Sequence, residues 1–338
     1  MKQIRLTALL EELTRLNAPS GYEEEVRDFI VHLLETCHIP YHVDRLGNVT
    51  IQRGENADRL ALFAHMDEVG FGVRGIREDG MIKFAPLGGI TEKILFSTPV
   101  TIGKDRVNGV IGNIPKHLQP KIKEQEITIA DMMIDIGAVS YEDALASVRI
   151  GDPICWNSDF VSFGDGLIKA KALDDRVGVA VILTLLLSTD WSFTAVFTTR
   201  EEIGTVGAKM IAPLITPKKA VVLEVTTCAD MPGVKETTTR LGEGVALSVM
   251  DGGSVADRNW NDTIVDLAKK HRISLQKKLT TKGGNDAGAV SYVSGGVPIT
   301  ALSLPGRYIH SPVSVISRTD LEAMYRLTEI LLSEGSEL

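Results

Sequence analysis

Five apolar runs in this chain stop on, or just short of, a His, Asp or Glu. Arg59-Leu60-Ala61-Leu62-Phe63-Ala64 ends on His65, with Asp67 two residues on. Ala172-Leu173 leads into Asp174-Asp175. The stretch from Phe193 to Thr199 leads into Arg200-Glu201-Glu202, and Ala220 to Leu223 into Glu224. Ile299 to Leu304 precedes Tyr308-Ile309-His310. A strand that is apolar at nearly every position is buried on both faces, which requires a sheet with helices above and below it. Helical spacing fills the intervals: Leu6, Leu9, Leu10, Leu13 and Leu16, then Val26, Phe29, Ile30, Leu33 and Leu34. Ser20 with Glu23 reads as a capping box for the second of these helices.

Further helices are predicted over 175–187, 204–211, 259–270 and 319–332. Strands are predicted over 193–199, 220–225 and 299–304. Strand and helix alternate, which predicts an α/β fold with a mostly parallel sheet and helices on both faces. Ligands of such sheets gather at the carboxyl ends of the strands, and the five segments lie there or in the loops just beyond.

Between about Glu68 and Phe163 the texture differs. Short Val, Ile and Gly stretches alternate with turns, as in Gly70-Phe71-Gly72-Val73, Met81-Ile82-Lys83-Phe84 and Val107-Asn108-Gly109-Val110-Ile111-Gly112. This predicts a small β-barrel domain over 68–163, inserted into a catalytic domain made of 1–67 and 164–338. Tyr141 to Val148 is its best helix candidate, and Pro115 to Glu126 a polar loop. Short strands leave edges that need cover, which a partner subunit would supply.

Taken singly, each ligand segment has a bland reading. His65 reads as a hydrogen-bonded core histidine, Asp174-Asp175 as a helix N-terminus favoured by the helix dipole, and Glu201-Glu202 as a solvated loop. Five segments in order, each with the right residue type, weigh against coincidence. Imidazole and carboxylate donors suit a zinc-like ion, with cobalt or manganese also acceptable. Two divalent ions bring four positive charges. Asp174, Glu202 and Glu224 bring three negative ones and a hydroxide the fourth, so the charges close if Asp174 bridges the ions. His65 and His310 supply one neutral nitrogen to each ion. Asp67 is placed to accept the ring N–H of His65 and fix its tautomer. Glu201, beside a ligand, is free to act as general base. This is the inventory of a two-metal hydrolase.

Composition limits the alternatives. The chain has 338 residues, 44% of them hydrophobic and 24% charged, with a net charge of −8. An acidic surface of that kind argues against a nucleic-acid partner. No apolar run is long enough to span a membrane, and the N-terminus carries no signal-peptide h-region. Cys37, Cys155 and Cys228 are odd in number and widely spaced, which fits a reducing cytoplasm. Cys228 reads as a small buried hydrophobe.

Longer matches narrow the reading. Ala64-His65-Met66-Asp67-Glu68-Val69-Gly70-Phe71, Lys171-Ala172-Leu173-Asp174-Asp175-Arg176, Thr199-Arg200-Glu201-Glu202-Ile203-Gly204 and Arg307-Tyr308-Ile309-His310-Ser311-Pro312 resemble the tetrahedral aminopeptidase family of dinuclear zinc peptidases. Its members also carry the names glutamyl aminopeptidase, deblocking aminopeptidase and, mistakenly, endoglucanase. The resemblance implies that Asp174 bridges two metals, with a cis peptide bond to Asp175. It implies that His65 and Glu224 complete one metal, that Glu202 and His310 complete the other, and that Glu201 is the base. It further implies removal of N-terminal residues from short peptides, and pairing of subunits through the inserted domain into dimers and a twelve-subunit shell. Two departures stand out: Glu224 where the family usually has Asp, and Ser314 where many members have Glu.

The alternative within the same clan is a deacylase or carboxypeptidase, for which Arg307 would bind a substrate carboxylate. A glycosidase would not need His65 and His310. A scaffold with a vestigial site is disfavoured, because all the ligands and the base are present. Gly283-Gly284-Asn285-Asp286-Ala287-Gly288 is expected to start a helix, either as a plain turn or with N–H groups that meet substrate.

Overall fold

The computed structural model describes residues 2–112, 128–234, 239–279 and 283–334. Strands β1 (His42–Val43), β2 (Val49–Arg53) and β3 (Ala61–His65) come first. Six follow: β4 (Gly70–Ile76), β5 (Ile82–Leu87), β6 (Pro99–Ile102), β7 (Val107–Gly112), β8 (Met133–Asp135) and β9 (Pro153–Trp156). The chain returns through β10 (Val161–Phe163), β11 (Leu167–Ala170), β12 (Phe193–Thr198), β13 (Ala220–Thr227), β14 (Val245–Ser248), β15 (Leu275–Lys278), β16 (Ile299–Arg307) and β17 (Ser314–Ser317). The α-helices are α1 (Lys2–Thr14), α2 (Glu24–Thr36), α3 (Tyr141–Leu145), α4 (Leu173–Ser188), α5 (Val206–Ile211), α6 (Arg258–Lys270), α7 (Asp286–Val290) and α8 (Arg318–Ser333). The polar stretch Pro115 to Glu126 lies outside the described residues.

The large sheet has 11 strands in the order β1-β2-β12-β3-β13-β16-β17-β11-β10, with β14 and β15 branching from β16. Its centre is parallel: β12 with β3, β3 with β13, and β13 with β16. Its flanks are antiparallel, so the sheet as a whole is mixed. Connection length explains part of this. Tyr308 to Val313 is too short for a parallel crossover, so β17 must run back beside β16.

Alternation along β3 sorts its side chains between two cores. Leu62 and Ala64 pack with α1, α2, α4, α6 and α8 on one face. Ala61 and Phe63 pack with Ala208 and Ile211 of α5 and with Ala287 and Val290 of α7 on the other. Register then sets the level of the site. Ala61 pairs with Ala220 and Phe63 with Val222, and the same step brings His65 level with Glu224. His65 also pairs with Thr198, so Arg200-Glu201-Glu202 begins at the same sheet edge.

Strands β4 to β9 close into a barrel in the order β4-β5-β8-β7-β6-β9. It has its own core, in which Phe71 meets Phe84 edge to face at 5.1 Å and Trp156 at 4.9 Å. Closure corrects one expectation. Among the described residues the barrel strands pair with one another all round, so the edges expected to need a partner subunit are met within the chain. The capping box is a second correction. Glu23 is the N-cap of α2 but makes no side-chain cap bond. Ser20 Oγ instead donates to Asp67 Oδ2 at 2.5 Å, and Glu23 Oε1 accepts from the N–H groups of Gly21 and Arg200.

Candidate active site

His65, Asp174, Glu201, Glu202, Glu224 and His310 line one cavity of about 1180 Å³ at the carboxyl edge of the parallel strands. Asp174 lies at its centre. Oδ1 faces His65 Nε2 at 3.3 Å, and Oδ2 faces His310 Nε2 at 3.5 Å. On one side His65 Nε2 is 3.5 Å from Glu224 Oε1, and on the other His310 Nε2 is 3.3 Å from Glu202 Oε1. Each half therefore offers one imidazole nitrogen, one carboxylate of its own and one oxygen of Asp174. Donor atoms of Asp174, Glu202 and His310 lie within 4.8 Å of one another, as do those of His65, Asp175 and Glu224, and those of His65, Glu201 and Glu202.

The imidazoles are oriented for the same purpose. His65 Nδ1 lies 3.1 Å from the carbonyl of Asp67, and His310 Nδ1 lies 2.9 Å from the carbonyl of Gly89. A carbonyl only accepts, so each Nδ1 carries a proton and each Nε2 is the nitrogen turned toward the carboxylates. The carboxylate of Asp67 is slightly further from the ring, at 3.4 Å. The same carboxylate bonds a second loop. Oδ1 accepts from the N–H of Glu201 at 2.9 Å and Oδ2 from that of Glu202 at 3.1 Å. Asp67 thus joins the His65 loop to the Glu201-Glu202 loop.

Backbone conformations concentrate here. Ala172, Arg200, Thr205, Tyr308 and His310 have positive φ without being glycine, a cost that packing must hold in place. The Asp174–Asp175 peptide bond is cis. Asp175 accepts from the N–H groups of His65 and Gly178. Beneath the ligands, Lys171 Nζ donates to both oxygens of Glu68, at 2.6 and 2.8 Å. Arg176 binds the Met66 carbonyl between His65 and Asp67.

Charge completes the test of the donor set. Burial, with added repulsion from Asp174, pushes the Glu224 carboxyl up to about 8. Burial and the neighbouring carboxylates also raise Glu201 well above the ordinary range. Burial pulls His310 down, but Asp174 and Glu202 outweigh it and push the ring up to about 11. So many acids around two imidazoles retain protons to offset one another, and divalent cations would take the place of those protons. The residues present fit a pair of such ions.

Three other candidates resolve. Arg307 is held by both oxygens of Asp230, at 3.0 and 2.7 Å, and so is committed within the protein. Cys228 is buried and donates to Asp230, apart from the ligand groups. Ser314 Oγ donates to the Tyr308 carbonyl. Sequence reasoning missed Gly89, read Ser20 only as a helix cap, and placed Asp286, whose Oδ1 has no partner among the described residues, only in a helix start. For Ser20 and Gly89 the contact is made across the fold and leaves no local pattern to read.

A family model described as M42 glutamyl aminopeptidase matches residues 47–327. The chain belongs to the M42 glutamyl aminopeptidase family. It is a metal-dependent aminopeptidase. A putative aminopeptidase of Acetivibrio thermocellus is 34% identical over 97% of this chain and 98% of its own. The glutamyl aminopeptidase of Lactococcus lactis is 31% identical over 97% and 96%. The lysyl aminopeptidase of Pyrococcus furiosus is 28% identical over 96% of both. Among solved structures, a TET aminopeptidase from a marine sediment archaeon of the Thaumarchaeota superposes with a TM-score of 0.93, at 32% identity, over 98% and 96% of the two chains. The Pyrococcus horikoshii TET1 peptidase, which can assemble into a tetrahedron or a large octahedral shell, gives a TM-score of 0.87 at 30% identity, over 97% and 99%.

Proposed function

We propose that two divalent ions, zinc in the first instance, work between His65 with Glu224 and His310 with Glu202, and that Asp174 is shared by both. The observation that carries this is the split of Asp174, one oxygen toward each histidine. When bound, such ions polarise a carbonyl and lower the pKa of water toward ~7. Glu201 takes a proton from the attacking water and passes it to the leaving amine. Its burial suits the first of these steps, because a desolvated carboxylate takes up a proton more readily than one in water. Asp67 holds the Glu201 and Glu202 backbone in register with His65. The acidic floor receives the free ammonium of a peptide.

The carboxypeptidase alternative loses its support with Arg307 tied to Asp230. The test is a peptide compared with its N-acetylated form. Cleavage of the acetylated form should be about 100-fold slower or worse, because a buried acidic floor loses its charged partner. Equal cleavage of both would overturn the aminopeptidase reading of this cavity and promote the deacylase.

We place the protein in the cytoplasm as a homo-oligomer, at least a dimer through the barrel and a dodecamer at full assembly. Three free cysteines support a reducing compartment. Val139, Tyr141, Leu145 and Ile150 stand exposed beside and on α3, an apolar grouping suited to a partner. Light scattering should find a mass several times the 36.7 kDa of one chain. A monomer across micromolar concentrations would refute the assembly and leave the chemistry untouched.

A further inference from the structure

Consecutive backbone N–H groups run from the end of β12 through the proposed base, and side chains bind all of them from Thr199 to Glu202. Asn48 Oδ1 accepts from Thr199 at 2.9 Å, and Glu23 Oε1 accepts from Arg200 at 3.0 Å. Asp67 accepts the next two, from Glu201 on Oδ1 and from Glu202 on Oδ2. Successive N–H groups converge on anionic oxygens where one residue turns left-handed, and Arg200 does so with a φ of 56°. The run lies beyond the last residue of β12, Thr198, so no strand ladder fixes it. The side-chain oxygens set where Glu201 sits.

The loop between α1 and α2 supplies much of this control. Glu23 is 5% exposed, and its Oε1 also accepts from the N–H of Gly21 at 2.7 Å, which ties the carboxylate to its own loop. Ser20, 2% exposed, donates to Asp67 Oδ2, the same oxygen that binds the Glu202 N–H. Both residues precede residue 47, where the family match begins, and neither lines the catalytic cavity. We propose that Ser20 and Glu23 are positioning residues for the general base, holding the Arg200-Glu201-Glu202 backbone so that the Glu201 carboxyl meets the attacking water. This rests on the reading of Glu201 as the base. Glu23 binds the N–H just before Glu201, and Ser20 fixes the carboxylate that binds the two that follow. A shift of about 1 Å at a group that transfers a proton costs up to about 100-fold in rate. The remaining walls of the cavity, and with them substrate binding, are left as they were. The effect therefore belongs to kcat and not to KM.

The test uses the metal-loaded full chain, with metal content measured beside kcat and KM on the better of glutamyl and leucyl p-nitroanilide. Glu23→Ala should lower kcat by about 10- to 100-fold, with KM and the bound metal little changed. Glu23→Gln should recover most of that loss, because an amide oxygen accepts the same two N–H bonds. Ser20→Ala, a smaller deletion, should lower kcat several-fold by the same route. Each alanine change is then made in Glu201→Gln as well, where it should cost nothing further, because the base it places is already absent. A lower folded fraction would slow both backgrounds alike, so the difference between them survives it. Equal losses in both backgrounds, or an unchanged kcat in the wild-type background, would overturn the positioning role and leave the base standing. Near-normal turnover by Glu201→Gln alone would instead defeat the reading of the base, and this inference with it.

Discussion

Replacing Glu201 by Gln should leave two metal ions bound per chain and lower kcat by about 10²–10⁴-fold. The side chain keeps its size and one carbonyl oxygen but can no longer take a proton. Its backbone N–H remains bound to Asp67 Oδ1 at 2.9 Å, so the loop has no reason to move. Neighbouring Glu202, which faces His310, keeps its own N–H contact with Asp67. Metal analysis beside single-turnover kinetics separates the outcomes. Loss of an ion together with the activity would make Glu201 a ligand, a role its nearness to His65 and Glu202 allows geometrically. Near-normal turnover would remove it from the mechanism.

Stripping the metals should abolish peptidase activity and make the protein's stability fall as pH rises. The sign follows from proton binding. A group with a higher pKa in the folded protein holds a proton there that the unfolded chain has released, so stability drops as pH climbs through that interval. For Glu224 the interval runs from 4.5 to about 8. For His310 it runs from 6.5 to about 11. Asp174 is shifted the other way, by its bonds to His310 and His65 against the effect of burial, but it acts only below its ordinary value of 3.8. The stripped protein should therefore lose about 5–10 °C of Tm between pH 6 and pH 9. The loaded protein should change much less, because the ions take the place of the protons. Loading at neutral pH should also release protons, measurable in a weakly buffered titration. A stripped protein that gains stability over this range would contradict the charge balance described here.

The tightest control on the site comes from groups that are far apart in sequence. Ser20 and Asp67 are 47 residues apart, and Gly89 and His310 are 221 apart. The second contact makes the barrel part of the active-site environment, since a carbonyl next to β5 sets the ring of a proposed ligand. The inserted domain carries no proposed ligand of its own, and this contact escaped a reading by residue type because a backbone carbonyl has none. The capping-box expectation failed for a related reason. Ser20 has the right spacing for a cap, but Asp67 approaches from another loop and takes its hydroxyl.

What the sequence determined by itself was whatever depends on neighbours along the chain. Apolar continuity marked β3, β12, β13 and β16 as interior strands, and residue type marked His65, Asp174, Glu202, Glu224 and His310 as candidate donors at or near strand ends. The short turn-separated stretches marked the barrel. Tertiary structure alone decided the rest: the antiparallel flanks of the sheet, the closure of the barrel edges, the direction of each Asp174 oxygen and the commitment of Arg307 to Asp230. Each of these is a pairing between segments far apart in sequence. Strand neighbours, register and competing partners choose such pairings, and none of those is written in the local spacing of residues.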